Sequence, residues 1–224
     1  MSPIPILKLR VKYSRSFSVS ALSHIEAVNI IRNCVIKSGL PVCASGAARK
    51  KLRVSFGPPL PVGYASYCEL FDMEMEKRVD SEASKTALSE SCPEGFKIMS
   101  VAVVPVISLP VDSAANLSKY VVEHLPVRNG YEEELKRFFE LKEFLIERIT
   151  DKNRKIMDAR PLVAAMKYNN NAVEIMLRFG PGRTVKPDIV LQKLFNLSDK
   201  EKQDLRITRM SFYREHEGGQ RIEL

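Results

Sequence analysis

The chain has 224 residues, of which 45 % are hydrophobic and 28 % charged, and its formal net charge is +8. These values exclude a disordered protein and predict a folded chain with one large domain or two smaller ones. The basic excess favours a nucleic acid or another polyanion as partner. No apolar segment approaches the roughly 20 residues that cross a bilayer, and the start, MSPIPILKLR, lacks a signal-peptide core. We therefore expect a cytoplasmic protein with no membrane partner.

The first half of the chain predicts one βαββαβ unit, to which we assign residues 1–105. Ile6–Ser14 alternates apolar and basic residues, which predicts a strand with one buried and one exposed face. The basic residues expected on the exposed face are Lys8, Arg10 and Lys12. Ser23 is the predicted N-cap of the following helix, and Glu26 completes a capping box. The other predicted elements are strands at 50–56, 67–77 and 96–105 and a helix at 81–95 with Ser81 as its N-cap.

The second half predicts the same order again. We assign a linker to residues 106–119, a second unit to 120–216 and a tail to 217–224. The predicted elements are a strand at 119–127, a long amphipathic helix at 131–150, strands before and after the turn Asn169–Asn171, a helix at 186–197 and a strand at 205–215. Strand, helix, strand, strand, helix, strand is the split βαβ order of the ferredoxin-like fold. The predicted fold class is therefore α+β, with two tandem ferredoxin-like (βαββαβ) units.

A segment rich in proline and glycine, SFGPPLPVGY (Ser55–Tyr64), separates two predicted strands. Its punctuating residues are Gly57, Pro58, Pro59, Pro61 and Gly63. Proline fixes φ and glycine accepts unusual backbone angles, so we expect a rigid extended arch that joins two strands of one sheet. The arch either forms a wall of a cleft beside the first helix or is purely structural.

The four cysteines are Cys34, Cys43, Cys68 and Cys92, and they form neither a CxxC pair nor a CxxxCxxC cluster. This spacing predicts no local zinc or iron–sulfur site. Three histidines are also too few for a metal site with local spacing. We therefore expect four free thiols and no cofactor.

Five stretches of the sequence together resemble an uncharacterised bacterial family, the radical SAM-linked proteins. They are SHIE, SGLPV, RVSFGPPLPVGYASYCE, DARPLV (Asp158–Val163) and RFGPGRTVKPDIVLQKLF (Arg178–Phe195). The resemblance implies a protein encoded beside, or fused behind, a radical SAM protein, in a context of RNA metabolism. The family's first helix typically carries SHxDxxR, whereas this chain has Glu26 and Asn29, and Lys51 takes the place of a loop histidine.

Three groups of residues are candidate ligands. At the start of the first helix they are Ser23, His24 and Glu26, where His24 is a candidate base or anion ligand, or simply part of the cap. In the basic loop they are Arg49, Lys50, Lys51 and Arg53, which either contact phosphate or form a solvated face. In the glycine-rich loop, which is otherwise a structural turn, the resemblance points to Gly182, Arg183 and Lys186.

Three functions stay open. The preferred one is a non-catalytic accessory protein that binds a substrate, such as RNA, for a separate radical SAM enzyme. The second is a metal-free RNA-processing endonuclease, or an RNA-binding protein, with His24 as the base and Lys51 as a stabilising cation. The third is a structural subunit that docks through the predicted helix Tyr131–Thr150.

Overall fold

The computed structural model describes residues 4–45, 51–150 and 153–224. The chain divides into two compact units, Met1–Ala114 and Ala115–Leu224. Each unit combines helices with antiparallel strands, so the predicted α+β class is confirmed. In the part of the chain that the structure describes, no helix is both long and apolar enough to span a membrane.

The first unit, unit 1, is built on a four-stranded antiparallel sheet. Its elements are β1 (Leu7–Arg15), α1 (His24–Lys37), β2 (Ala44–Ser45), β3 (Lys51–Leu52), β4 (Val54–Phe56), β5 (Ala65–Met75), α2 (Ser81–Ser91), β6 (Phe96–Val104) and α3 (Val111–Ala114). Strand β1 lies between β5 and β6, and β4 pairs with β5. Strands β2 and β3 form a separate two-stranded ribbon.

The core of unit 1 follows the two periodicities of the sequence. Alternate residues of β1, among them Leu9 and Val11, are fully buried because successive side chains of a strand point to opposite faces. Helix α1 buries one stripe at helical spacing, which includes Ala27 and Ile31. The predicted capping box that starts α1 is confirmed. Helix α2, in contrast, is capped by Asp80 rather than by Ser81, because the Asp80 carboxylate accepts the backbone N–H of Ala83 at 2.8 Å.

The basic face of β1 is covered rather than exposed. Lys8 is only 6 % exposed, and its Nζ donates to the backbone oxygen of Ser108 at 3.0 Å. Arg10 donates twice to Asp72, its cross-strand partner on β5, at 2.8 and 2.9 Å, and once to the backbone oxygen of Leu109. The expected exposed cationic face is therefore wrong for Lys8 and Arg10. Alternation along β1 could not reveal that the chain after β6 returns across it.

The proline-rich arch connects β4 to β5, which are neighbours in one sheet, so the predicted connection is confirmed. The backbone N–H of Gly57 donates to Leu70 at 2.9 Å, and that of Gly63 donates to Ser20 at 2.8 Å. Gly63 has φ +89°, which favours glycine. Backbone hydrogen bonds thus join one end of the arch to β5 and the other end to the segment before α1.

The second unit, unit 2, also combines helices with strands. They are β7 (Leu117–Glu123), α4 (Tyr131–Glu140), β8 (Leu145–Thr150), β9 (Asn153–Asp158), β10 (Val163–Asn169), β11 (Ala172–Arg178), α5 (Pro187–Phe195), α6 (Asp199–Asp204), β12 (Arg206–Glu215) and β13 (Arg221–Glu223). Strand β7 lies between β11 and β12, while β10 pairs with β11 and β13 with β12, all antiparallel. The order β4–β5–β1–β6 of unit 1 is thus repeated as β10–β11–β7–β12.

One long predicted helix is in fact a helix and a strand. Helix α4 ends at Glu140, and Leu141 already has extended backbone angles. After it the side chains alternate: Phe144 and Ile146 are buried, whereas Leu145 is exposed. This period of two belongs to a strand, and β8 pairs with β9 in a two-stranded ribbon. The docking helix predicted over 131–150 is therefore wrong in its second half.

The turn predicted at Asn169–Asn171 is confirmed. Strand β10 ends at Asn169 and β11 begins at Ala172, which leaves a two-residue loop. Both loop residues, Asn170 and Asn171, have positive φ, at 49° and 59°. Asparagine tolerates this conformation better than other residues with a side chain, and a two-residue hairpin with right-handed twist requires it.

Candidate ligand-binding site

A cavity of about 930 Å³ opens in unit 2. We call it the unit 2 cavity. Its lining residues are Asn116, Ile156, Met157, Asp158, Pro161, Leu162, Arg178, Phe179, Gly180, Pro181, Gly182, Arg183 and Glu215. A volume of this size is in the range of small-molecule sites, which is about 300–1,000 Å³. The lining joins the end of β9, the end of β11 with the turn after it, and the end of β12.

The turn after β11 places a cation at the cavity. Gly180 and Arg183 exchange two backbone hydrogen bonds, of 3.0 and 3.1 Å, so Pro181 and Gly182 form the tip of a tight turn. Gly182 has φ +70°, which suits the third position of a type II turn with proline at the second. The Arg183 side chain is exposed and makes no hydrogen bond or ion pair with the residues that the structure describes.

A network centred on Glu215 holds the walls of the cavity together. Arg178 donates to both carboxylate oxygens of Glu215, at 2.5 and 3.2 Å, and Arg221 donates to one of them at 3.1 Å. The hydrogen bond from Arg178 is the main reason that the pKa of Glu215 is lowered, so the carboxylate stays ionised. The remaining Nη1 of Arg178 donates to the backbone oxygen of Pro161 at 2.9 Å. Arg178 therefore connects two of the five stretches that carry the family resemblance, the segments that begin at Asp158 and at Arg178 itself.

Asn116 fixes the backbone at the same end of the sheet. Its side-chain amide donates to the backbone oxygen of Glu215 at 2.9 Å and accepts the backbone N–H of Glu215 at 2.7 Å. Its own backbone oxygen accepts the N–H of Phe179 at 2.9 Å. One asparagine thus joins the start of β7 to the ends of β11 and β12.

Asp158 shapes the first of the two segments. One of its carboxylate oxygens accepts the backbone N–H groups of Phe144 at 2.8 Å and of Arg160 at 2.9 Å. Arg160 in turn donates to the backbone oxygen of Phe139 at 3.0 Å and lies over the Phe139 ring, 5.0 Å from its centroid. The segment from Asp158 is therefore a hydrogen-bonded turn against α4 rather than the middle of a strand.

Apolar side chains form the rest of the lining, including Ile156, Leu162 and Phe179. Ile156 is 63 % exposed. No serine, cysteine, histidine or lysine is among the lining residues. The cavity therefore offers an apolar surface, carboxylate and backbone acceptors, and one uncommitted guanidinium. This combination is suited to binding a ligand with a flat apolar body and an anionic group.

The glycine-rich candidates are divided between two places. Gly182 and Arg183 line the unit 2 cavity, whereas Lys186 does not. Lys186 is the exposed N-cap residue of α5 and makes no side-chain capping bond. The sequence did not point to Glu215 or Asn116, since one lies at the end of an alternating strand and the other in the predicted linker.

Two of the three candidates at the start of α1, Ser23 and Glu26, form the cap of this helix. Glu26 accepts the backbone N–H of Ser23 at 2.8 Å and its hydroxyl at 2.7 Å, and the Ser23 hydroxyl accepts the N–H of Glu26 at 3.3 Å. The Ser23 hydroxyl is the main cause of the lowered pKa of Glu26. His24 is the first residue of α1 and is partly exposed. These three residues belong to unit 1 and do not line the unit 2 cavity.

The basic loop is seen only in part. Arg49 and Lys50 lie outside the described residues. Lys51 is exposed on β3, whereas Arg53 forms an ion pair with Glu74, with Nη1 and Oε2 3.0 Å apart. Over residues 4–45, 51–150 and 153–224, no cluster of three or more histidine, cysteine or acidic side chains could hold a metal ion.

The chain belongs to the bacterial family described as "Uncharacterized protein conserved in bacteria (DUF2344)", which it matches over residues 8–187. The match includes α1, the proline-rich arch and both segments that line the unit 2 cavity up to Arg183. It ends before β12, so Glu215 lies beyond it. No curated protein matches this chain.

Proposed function

We propose that this protein is a non-catalytic accessory protein that binds RNA for a separate radical SAM enzyme, and that the unit 2 cavity takes one nucleotide of a single strand. One observation carries the proposal. The segments DARPLV and RFGPGR, two of the stretches that carry the family resemblance, flank the hairpin of β10 and β11 and line the same cavity. A shared binding task explains why both segments belong together.

A nucleotide matches the chemistry of the lining. Proteins that bind single-stranded RNA pack unstacked bases against flat apolar or aromatic side chains and contact the phosphates with cations. Phe179 and Leu162 supply such an apolar surface. Arg183 supplies a cation that forms no hydrogen bond or ion pair with the described residues. The net charge of +8 adds long-range attraction for a polyanion.

The radical chemistry is assigned to another chain. A radical SAM enzyme holds its iron–sulfur cluster with three closely spaced cysteines, whereas the four cysteines here are scattered through residues 34–92. This spacing supports an accessory role for the present chain. We also infer that each unit is a ferredoxin-like fold, because both share the strand order and the antiparallel pairing of the split βαβ arrangement.

Binding of a short fluorescein-labelled single-stranded RNA, measured by fluorescence anisotropy, tests the proposal. The test variant is Arg183→Ala. A hydrogen bond to a charged group contributes about 1.5–3 kcal/mol, so affinity should fall roughly 10- to 150-fold. The slope of log K against log salt should also decrease by about 0.7, which is the value for one phosphate contact on a single strand. Arg137→Ala, an exposed arginine on α4 outside the cavity lining, is the matched control for loss of one charge.

Three outcomes would contradict the proposal or parts of it. If the wild-type protein does not bind the RNA, RNA is not the ligand. If both variants weaken binding equally, the effect is one of net charge and Arg183 is not in the site. Cleavage of the RNA by the purified protein, abolished by His24→Ala, would favour the endonuclease instead.

A further inference from the structure

Two cysteines of unit 1 meet where α1 and α2 pack together. Cys34 lies on α1 and is 2 % exposed, and Cys92 is the C-cap residue of α2 and is partly exposed. Both line a cavity of about 260 Å³, together with Lys37 and Pro93. The cavity is large enough to admit small polar molecules of the size of water or a peroxide.

The two thiols also interact directly. A hydrogen bond between them lowers the pKa of Cys34, and the nearby Lys37 acts in the same direction. The same hydrogen bond raises the pKa of Cys92. Because the thiolate is the reactive form of cysteine, Cys34 is the better nucleophile of the pair.

We propose that Cys34 and Cys92 form a dithiol that a peroxide oxidises to a disulfide, independently of RNA binding in unit 2. In the first step, the Cys34 thiolate attacks one oxygen of hydrogen peroxide; the O–O bond breaks, hydroxide leaves, and a sulfenic acid remains on Cys34. In the second step, the Cys92 sulfur attacks the sulfur of Cys34, and water leaves with the proton of the Cys92 thiol. The net reaction consumes two thiols and one peroxide and releases two waters.

The other two cysteines are not arranged for this reaction. Cys43 is fully buried, and burial is the main cause of its raised pKa. Neither Cys43 nor Cys68 lines the cavity that Cys34 and Cys92 share, and the Cys68 sulfur lies 3.7 Å from the hydroxyl of Ser66. These two residues therefore serve as internal controls in the same molecule.

Peptide mapping of the intact protein tests the inference. The protein is treated with hydrogen peroxide while folded, free thiols are alkylated, and the chain is digested with trypsin without reduction. Cleavage after lysine and arginine puts each cysteine on its own peptide, with Cys34 on Asn33–Lys37 and Cys92 on Thr86–Lys97. We expect these two peptides to appear joined, with the loss of two hydrogen atoms and of both alkylation sites. A reducing agent should separate them again.

Two variants define the order of the steps. Cys92→Ser removes the resolving thiol, so Cys34 should stop at the sulfenic acid and become labelled by dimedone. Cys43→Ser should leave the joined peptides unchanged. Recovery of Cys34 and Cys92 fully alkylated after peroxide treatment would overturn the proposal, and so would equal cross-linking to Cys43 or Cys68. The wild-type result decides the matter even if a variant does not fold.

Discussion

Replacing Glu215 with glutamine should loosen the unit 2 cavity. The substitution keeps the shape of the side chain but removes the charge that two arginines share. In the wild-type protein, Arg178 donates twice to this carboxylate and Arg221 donates once. A glutamine oxygen in the place of Oε1 can keep the bonds from Nη2 of Arg178 and Nε of Arg221, but its amide nitrogen then faces Nε of Arg178, which is another donor.

The expected loss lies between that of an exposed and that of a buried ion pair. The Glu215 side chain is 11 % exposed, whereas Arg178 and Arg221 are 39 % and 32 % exposed. Exposed pairs contribute about 0–1 kcal/mol because solvent screens them, and breaking a fully buried pair costs about 3–5 kcal/mol. Since water reaches both arginines, we expect a decrease of about 2 kcal/mol in the free energy of unfolding at neutral pH.

The effect should depend on pH with a defined sign. The pKa of Glu215 is lower in the folded state than in the unfolded chain, mainly because of the hydrogen bond from Arg178. The stabilisation is therefore fully present above the unfolded-state pKa of about 4.3. It is lost as the pH falls through the lower folded-state value. Glutamine does not titrate, so the wild-type and variant curves should approach each other below about pH 4.

Urea unfolding followed by circular dichroism at neutral pH and at about pH 3 measures both effects. The matched control is Glu217→Gln, which changes an exposed glutamate two residues further along and should alter stability by no more than about 0.5 kcal/mol. A Glu215→Gln variant as stable as the wild type at neutral pH would refute the reasoning. A stability difference that stays constant down to pH 3 would show that the loss comes from packing and not from charge.

Two further predictions concern unit 1. Gly95 has φ +88°, and an added Cβ would lie 2.4 Å from a methyl carbon of Val19. Gly95→Ala should therefore lower the free energy of unfolding, measured by urea unfolding, by about 3 kcal/mol. Gly63 has nearly the same φ but open space around it, so Gly63→Ala should cost only about 1 kcal/mol; equal losses would rule out the clash. Triple alanine substitution of Arg49–Lys51 should weaken RNA binding and reduce the slope of log K against log salt by about 0.7 for each phosphate contact that is lost. An unchanged slope would show that this loop does not contact the RNA.

Local patterns in the sequence predicted local structure well. The capping box of α1 needs only residues three apart, and it is present as expected. The two-residue turn at Asn170 and the arch between β4 and β5 likewise follow from residues with restricted or permissive backbones. In each case the information lies within a few positions of the feature that it determines.

Long-range contacts explain the failures. Lys8 and Arg10 alternate correctly with apolar residues, but their exposure depends on a segment about 100 positions away. The helix predicted over 131–150 is wrong in its second half for a different reason. Apolar residues at 141, 144 and 145 fit a helical stripe as well as a strand, so the sequence pattern alone does not distinguish the two. Pairing with β9 stabilises the strand.

The candidate site shows the same division. Gly182 and Arg183, which line the cavity, were selected from the sequence by the family resemblance of the glycine-rich loop. Glu215 and Asn116 carry no such signal, and their role arises only because the start of β7 lies beside the ends of β11 and β12. The closeness of the two resemblance segments is also a property of the sheet, since Arg178 reaches Pro161 only once β10 and β11 have paired.

The repeated topology allows one sheet position beside the unit 2 cavity to be compared with its counterpart in unit 1. The position paired with the first residue of the central strand is Met75 in unit 1 and Arg178 in unit 2. In unit 1, backbone hydrogen bonds join residues next to Met75 to the chain at 41–43, and Met75 is fully buried. In unit 2, the guanidinium of Arg178 spans to Pro161 instead. The same sheet position therefore carries a buried apolar side chain in unit 1 and, in unit 2, an arginine that lines the cavity.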